Sequence, residues 1–371
     1  MSSKISQTSL TEAMEQFGLS MVTYTVEPYG NGHINDTFLV SPQSKDSDSK
    51  RYILQRINII VFKNPDKLME NIKNVTGFLR EDILKNGENP DRETLTVLPD
   101  KQGESMVKDS EGGCWRLYLF IERSMSYDTV DNPIVFHNAG AAFGRFMKRL
   151  AEYPAETLYE TIPRFHDTKK RLADLQQAVK EDKVCRVKDV KREIDFFMNH
   201  KEECSILTDL LKKGELPLRV THNDTKLNNV LFDKISGQGI CVIDLDTVMP
   251  GLSLYDFGDS IRFGANTAVE DEIDLSKVSL SLDLFREYTT GYLAETSDVL
   301  TPLERELLPM GAKLMTLECG MRFLTDYLSG DVYFKTHRTG HNLDRARTQF
   351  KLVADMEQKW DTMKKIVKEN G

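Results

Sequence analysis

The chain has 371 residues, 40% hydrophobic and 29% charged, the balance of a globular protein long enough for two domains. Its net charge of -9 argues against nucleic acid as a partner, which would need a basic footprint. The five cysteines form no Cys-x-x-Cys pair, so neither zinc nor a disulfide framework is expected; with no signal-peptide core and no membrane-length run, a cytoplasmic monomer that avoids membranes is expected.

Residues 10–18 read as a short helix, with Leu10, Met14 and Phe17 at helical spacing. Strand-like runs follow at 22–26 and 37–40. The connection between them carries Gly30 and Gly32, which suit either a hairpin turn or close backbone approach to a ligand. A polar loop at 41–50 leads to a strand at 52–55. The pattern predicts a helix over 65–80, with Leu68, Ile72, Val75 and Leu79 on one face, then strands at 94–98 and 115–121. From about residue 134 the texture turns helical. Helices are predicted at 134–152, 168–183, 187–212, 282–296, 302–329 and 342–369, interrupted by a hairpin at 230–244. The expected fold is α+β and bilobal. A strand-rich N-terminal lobe, 1–121, would bind nucleotide, and a mainly helical lobe, 122–371, would hold the catalytic loop and acceptor pocket.

The stretch 220–246 carries the chemistry. His222, Asp224 and Asn229 follow the order H-x-D-x-x-x-x-N, and Asp244 ends the returning strand of the hairpin. Phosphoryl transfer needs an oriented acceptor hydroxyl and metal ions on the phosphates. Asp224 suits the first task as base. Asn229 and Asp244 offer the hard oxygen ligands that Mg²⁺ prefers, brought together by the hairpin. His222 is read as supporting the loop by packing and hydrogen bonding. Asp246 is either a further metal ligand or a supporting residue. Asp256 sits where a carboxylate can brace the loop backbone. Any one of these alone would more often be a turn or capping residue.

These residues resemble the aminoglycoside phosphotransferase family of small-molecule kinases, which share the protein-kinase fold. The likeness rests on 222–229 and 242–247. Within that family the segments 27–35, 51–55, 256–265 and 318–324 resemble bacterial N-acetylhexosamine 1-kinases. The resemblance implies transfer of the ATP γ-phosphoryl group to the anomeric hydroxyl of N-acetylglucosamine or N-acetylgalactosamine, with Mg²⁺. It implies a sugar pocket lined by His33, Asp224, Arg322 and Tyr333. Arg322 also has a plain reading, an ion pair with Glu318 four residues earlier. Another small-alcohol kinase of the family, acting on choline, homoserine or an aminoglycoside, is the alternative.

One departure stands out. Kinases place a Lys on the third strand and a Glu on the next helix. Here the strand reads Tyr-Ile-Leu-Gln-Arg, so Gln55 takes the Lys position and Arg56 faces away, with Glu70 as a candidate helix carboxylate. Nucleotide is expected against Gly30, Gly32 and Gln55, with adenine at the hinge beside Phe120 and Ile121.

Overall fold

The structure, a computed structural model, describes residues 5–30, 34–44 and 50–371. After helix α1 (Gln7–Gln16), the strands β1 (Tyr24–Pro28), β2 (Asp36–Pro42) and β3 (Tyr52–Ile57) form a meander. Helix α2 (Pro65–Lys85) and the short α3 (Pro90–Glu93) precede β4 (Val97–Leu98), β5 (Val107–Lys108) and β6 (Cys114–Leu119). These strands make one antiparallel sheet in the order β1-β2-β3-β6-β4, with β5 also on β6. Both α2 and α3 begin on an Asn-Pro pair: Asn64 and Asn89 cap free N–H groups, and the proline takes the first turn where no donor is needed.

The remainder is mostly helical. A two-residue strand, β7 (Ser124–Met125), leads to α4 (Pro133–Arg149), α5 (Thr168–Glu181), α6 (Lys191–Asn199) and α7 (Ile206–Lys212). Four strands follow: β8 (Arg219–Thr221), β9 (Val230–Asp233), β10 (Gly239–Val242) and β11 (Met249–Gly251). The predicted hairpin is β9–β10, extended by β7, while β8 pairs with β11. Then come α8 (Ser253–Gly264), α9 (Leu282–Thr296), α10 (Pro302–Glu306), α11 (Leu308–Ser329), α12 (His341–Gln358) and α13 (Trp360–Asn370). No helix of the described residues is long and apolar enough to cross a membrane.

Several expectations need correcting. The predicted helix at 187–212 is two helices, because the His200 ring bonds the Phe196 carbonyl at 2.7 Å and ends α6. The run 302–329 breaks at Leu307, ahead of Pro309, which has no N–H to continue the ladder. The run 342–369 turns at Lys359. Helix α8 was not expected at all. Eleven of its twelve residues are buried, and its polar side chains Asp256, Asp259 and Ser260 face a buried loop instead of solvent, so polarity does not mark an outer side.

One large apolar core runs from α2 through β6 into the helices, and a smaller one lies under α1 on the other face of the sheet. Gly258 of α8 and Gly311 of α11 set the spacing of the central pair. A Cβ on Gly258 would strike the Gly311 carbonyl, and one on Gly311 would strike that of Leu254. The absent side chains let the two backbones touch.

Candidate active site

The loop after β8 is shaped by α8. Asp256 accepts from the His222 and Asn223 main-chain N–H groups at 2.8 and 2.7 Å. Asp259 accepts from the Thr225 N–H at 3.2 Å, and Ser260 donates to the Thr225 carbonyl at 2.7 Å. Asn223 takes a left-handed conformation at φ 64°, held by its side-chain amide on the Thr221 and Thr247 carbonyls. His222 is fully buried. Its Nε2 lies 2.8 Å from the Ile243 carbonyl, its Nδ1 takes the Asp224 N–H at 3.3 Å, and its ring meets Phe143 and Phe146 edge-on. A tight weave of main-chain bonds thus fixes where Asp224 projects.

Three candidate polar side chains converge there. The Asn229 amide donates to the Asp224 carbonyl at 2.8 Å and to its carboxylate at 3.2 Å, which orients the Asn229 Oδ1 away from both. Lys226 pairs with Asp224 at 2.8 Å. Burial pushes the Asp224 carboxyl up, but Lys226, then His222 and Arg262, outweigh it and hold the group below the usual carboxylate range. Asp244 takes a left-handed conformation at φ 60° as the chain leaves β10. Water reaches its carboxylate through the cleft, while protein surrounds it on the other sides. Burial, then the charges of Asp246 and Asp224, push it up to about 6. No hydrogen bond from the described residues reaches its oxygens. An amide oxygen and an open carboxylate, in a site overloaded with negative charge, fit a hard divalent cation.

Asn229 and Asp244 form one wall of a cavity of about 270 Å³; the opposite wall is the sheet. Gly30, Gln55, Phe120 and Ile121 all line it, as do Tyr29, Thr37 and Tyr118. The Tyr29 and Phe120 rings meet edge-on at 6.0 Å, and the Arg51 guanidinium lies over the Phe120 ring at 4.1 Å. Gly32 and His33 lie outside the described residues.

Asp246 does not face the cavity as an open ligand. It is buried, and both oxygens are taken, Oδ1 by Arg116 at 2.5 Å and Oδ2 by Asn35 at 2.6 Å. It belongs to the seam between the sheet and the helical part. Arg116 was missed in the sequence. It sits on β6 directly opposite Gln55, and its Nε donates to Gln55 at 3.0 Å. Arg56 points to the other face, towards Gly113. Glu70 is exposed and faces Tyr159, and α2 presents Met69 to Arg116 instead of a carboxylate.

Arg322 and Tyr333 are not among the cavity's walls. The plain reading of Arg322 fails: Glu318 is held by His166 at 2.9 Å and Thr168 at 2.8 Å. The Arg322 guanidinium rests over the rings of Phe165 and Phe334, at 5.4 and 5.5 Å, and donates no hydrogen bond to the described residues. Tyr333 is 68% exposed.

Residues 25–280 match the family described as APH, phosphotransferase enzyme family, and the chain belongs to that family. Solved structures share the fold. An aminoglycoside phosphotransferase from Alicyclobacillus acidocaldarius subsp. acidocaldarius DSM 446 has 11% identity and a TM-score of 0.65, with 100% of this chain and 98% of that one covered. A microcompartment-associated aminopropanol kinase has 16% identity and a TM-score of 0.57, covering 95% and 97%. A choline kinase from Cryptosporidium parvum Iowa II has 14% identity and a TM-score of 0.55, covering 95% and 94%. The chain is therefore an α+β phosphotransferase.

Proposed function

We propose that the protein transfers the γ-phosphoryl group of ATP to a hydroxyl of a small molecule, in the cleft between a nucleotide-binding part, 1–121, and a catalytic part, 122–371. The observation that carries this is the Asp224 carboxylate hydrogen-bonded to Asn229, which with Asp244 forms the wall of one cavity. Asp224 takes the acceptor's hydroxyl proton. The acceptor oxygen bonds to the γ-phosphorus as the bond to the β–γ bridging oxygen breaks, and ADP leaves. Asn229 Oδ1 and the Asp244 carboxylate would hold Mg²⁺, which supplies charge neutralisation on the phosphates when bound. His222 and Asp256 position the loop.

The names of the structural neighbours favour an amino-alcohol, choline or aminoglycoside acceptor. A second reading, an N-acetylhexosamine phosphorylated at its anomeric hydroxyl, is favoured by Arg322. A half-buried guanidinium with no hydrogen bond to the described residues repels an ammonium group and suits hydroxyl or acetamide oxygens. The test is a panel of free sugars, amino alcohols and aminoglycosides with Mg-ATP, reading ADP release and the phosphorylated position by NMR. Turnover on amino alcohols alone removes the sugar reading. Turnover on N-acetylhexosamines alone establishes it.

A further inference from the structure

We infer that Arg116 is the cation that grips the donor phosphates in this site, supplied from β6 instead of from β3. The inference rests on the kinase reading above. Gln55 stands where a kinase would place its Lys, and it is neutral. Its Nε2 donates to the Thr37 hydroxyl at 2.9 Å, which turns its Oε1 to accept from Arg116 Nε at 3.0 Å. The pair is directly opposite across two antiparallel strands, so both side chains leave the sheet on the same face. A charge lost from one strand reappears on its neighbour.

The remaining contacts aim that charge. Asp246 fixes Nη1 at 2.5 Å, and the Tyr118 ring lies 5.3 Å from the guanidinium carbon. Nη2 makes no hydrogen bond to the described residues, and Arg116 lines the same cavity as Asn229 and Asp244. A buried ion pair is a poor device for stability alone, because desolvation offsets most of the attraction. A planar guanidinium held by two side chains, with one nitrogen left over, suits an anionic phosphate oxygen. Asp246, with both oxygens engaged, acts as the anchor of that cation. Arg116 and Asp246 together replace the usual Lys–Glu pair, with the acid drawn from the chain after β10 and not from α2.

The test measures binding of Mg-ATP, Mg-ADP and adenosine by calorimetry. Arg116→Gln should weaken ATP and ADP by about tenfold to a hundredfold, the loss of a charged hydrogen bond. Adenosine, which has no phosphate, should stay within about twofold. Arg116→Lys should recover part of the loss. The double variant Arg116→Gln/Asp246→Asn leaves no lone buried charge and carries the same expectation should the single variant fail to fold. Equal losses for all three ligands would make Arg116 a structural clamp and overturn the inference. Unchanged ATP affinity would overturn it too. Wild-type protein that binds none of the three would overturn the kinase reading and this inference with it.

Discussion

The two walls of the cleft are built on opposite plans. The helical wall fixes its loop through the main chain: Asp256, Asp259 and Ser260 of α8 hold backbone groups of residues 222–225. The sheet wall meets the chain after β10 through side chains, chiefly Arg116 and Asn35 on the one carboxylate of Asp246. Bonds to the main chain of residues 222–225 fix the path of the loop without engaging the loop's own side chains. Side-chain bonds can be exchanged for contacts to a ligand. The first plan suits chemistry that needs a fixed base, and the second suits a wall that must receive and release a nucleotide.

The comparison can be broken or sharpened by experiment. Asp224→Asn should lower turnover by about 10²- to 10⁴-fold, the usual worth of a positioned base, while Mg-ATP binding persists. Unchanged turnover in a steady-state assay would remove Asp224 from that role. Asp256→Ala leaves two buried N–H groups without an acceptor, and should cost about 2–4 kcal/mol in a denaturant titration together with most of the activity. If activity survives intact, α8 does not set the loop.

The third prediction concerns pH. The Asp244 carboxyl is raised to about 6, so it takes up a proton as pH falls through that value. Mg²⁺ affinity should then fall by roughly tenfold per pH unit below about 6, since the metal and the proton compete for one carboxylate. In metal-free protein the sign is the reverse for folding. The ionised form is disfavoured in the native state, so this group's penalty is largest above pH 6 and is relieved as pH falls towards the ordinary carboxylate range. A calorimetric Mg²⁺ titration that is flat from pH 7 to 5 would contradict the assignment. The smallest effect is expected furthest away. Thr301 and Glu304 form a reciprocal cap at the start of α10, and Thr301→Ala should cost about 1 kcal/mol in thermal unfolding with kcat unchanged.

The two walls were also unequally legible. On the helical wall, His222, Asp224, Asn229 and Asp244 follow one another in a short stretch whose hairpin can be read from its turn, so local spacing places them. Helix α9 is found over the span its pattern predicts, 282–296. On the sheet wall, Gln55 and Arg116 are sixty-one positions apart and meet only through strand register, which no local pattern encodes. Helix α8 was hidden for another reason: its polar side chains Asp256, Asp259 and Ser260 serve a buried loop, so they do not mark a solvent face. The Asn-Pro pairs at 64–65, 89–90 and 132–133 were a readable signal for three helix starts.

The glycine contact between α8 and α11 has a consequence for how the protein is made. The residues that shape the loop at 222–229 lie on α8, and α8 is held in place by α11, residues 308–329. On a ribosome the chain emerges from its N-terminus, so the sheet and the hairpin are complete well before α11 exists. Such a nascent chain has the sheet wall of the cleft but not the α11 contact that seats α8 behind the loop.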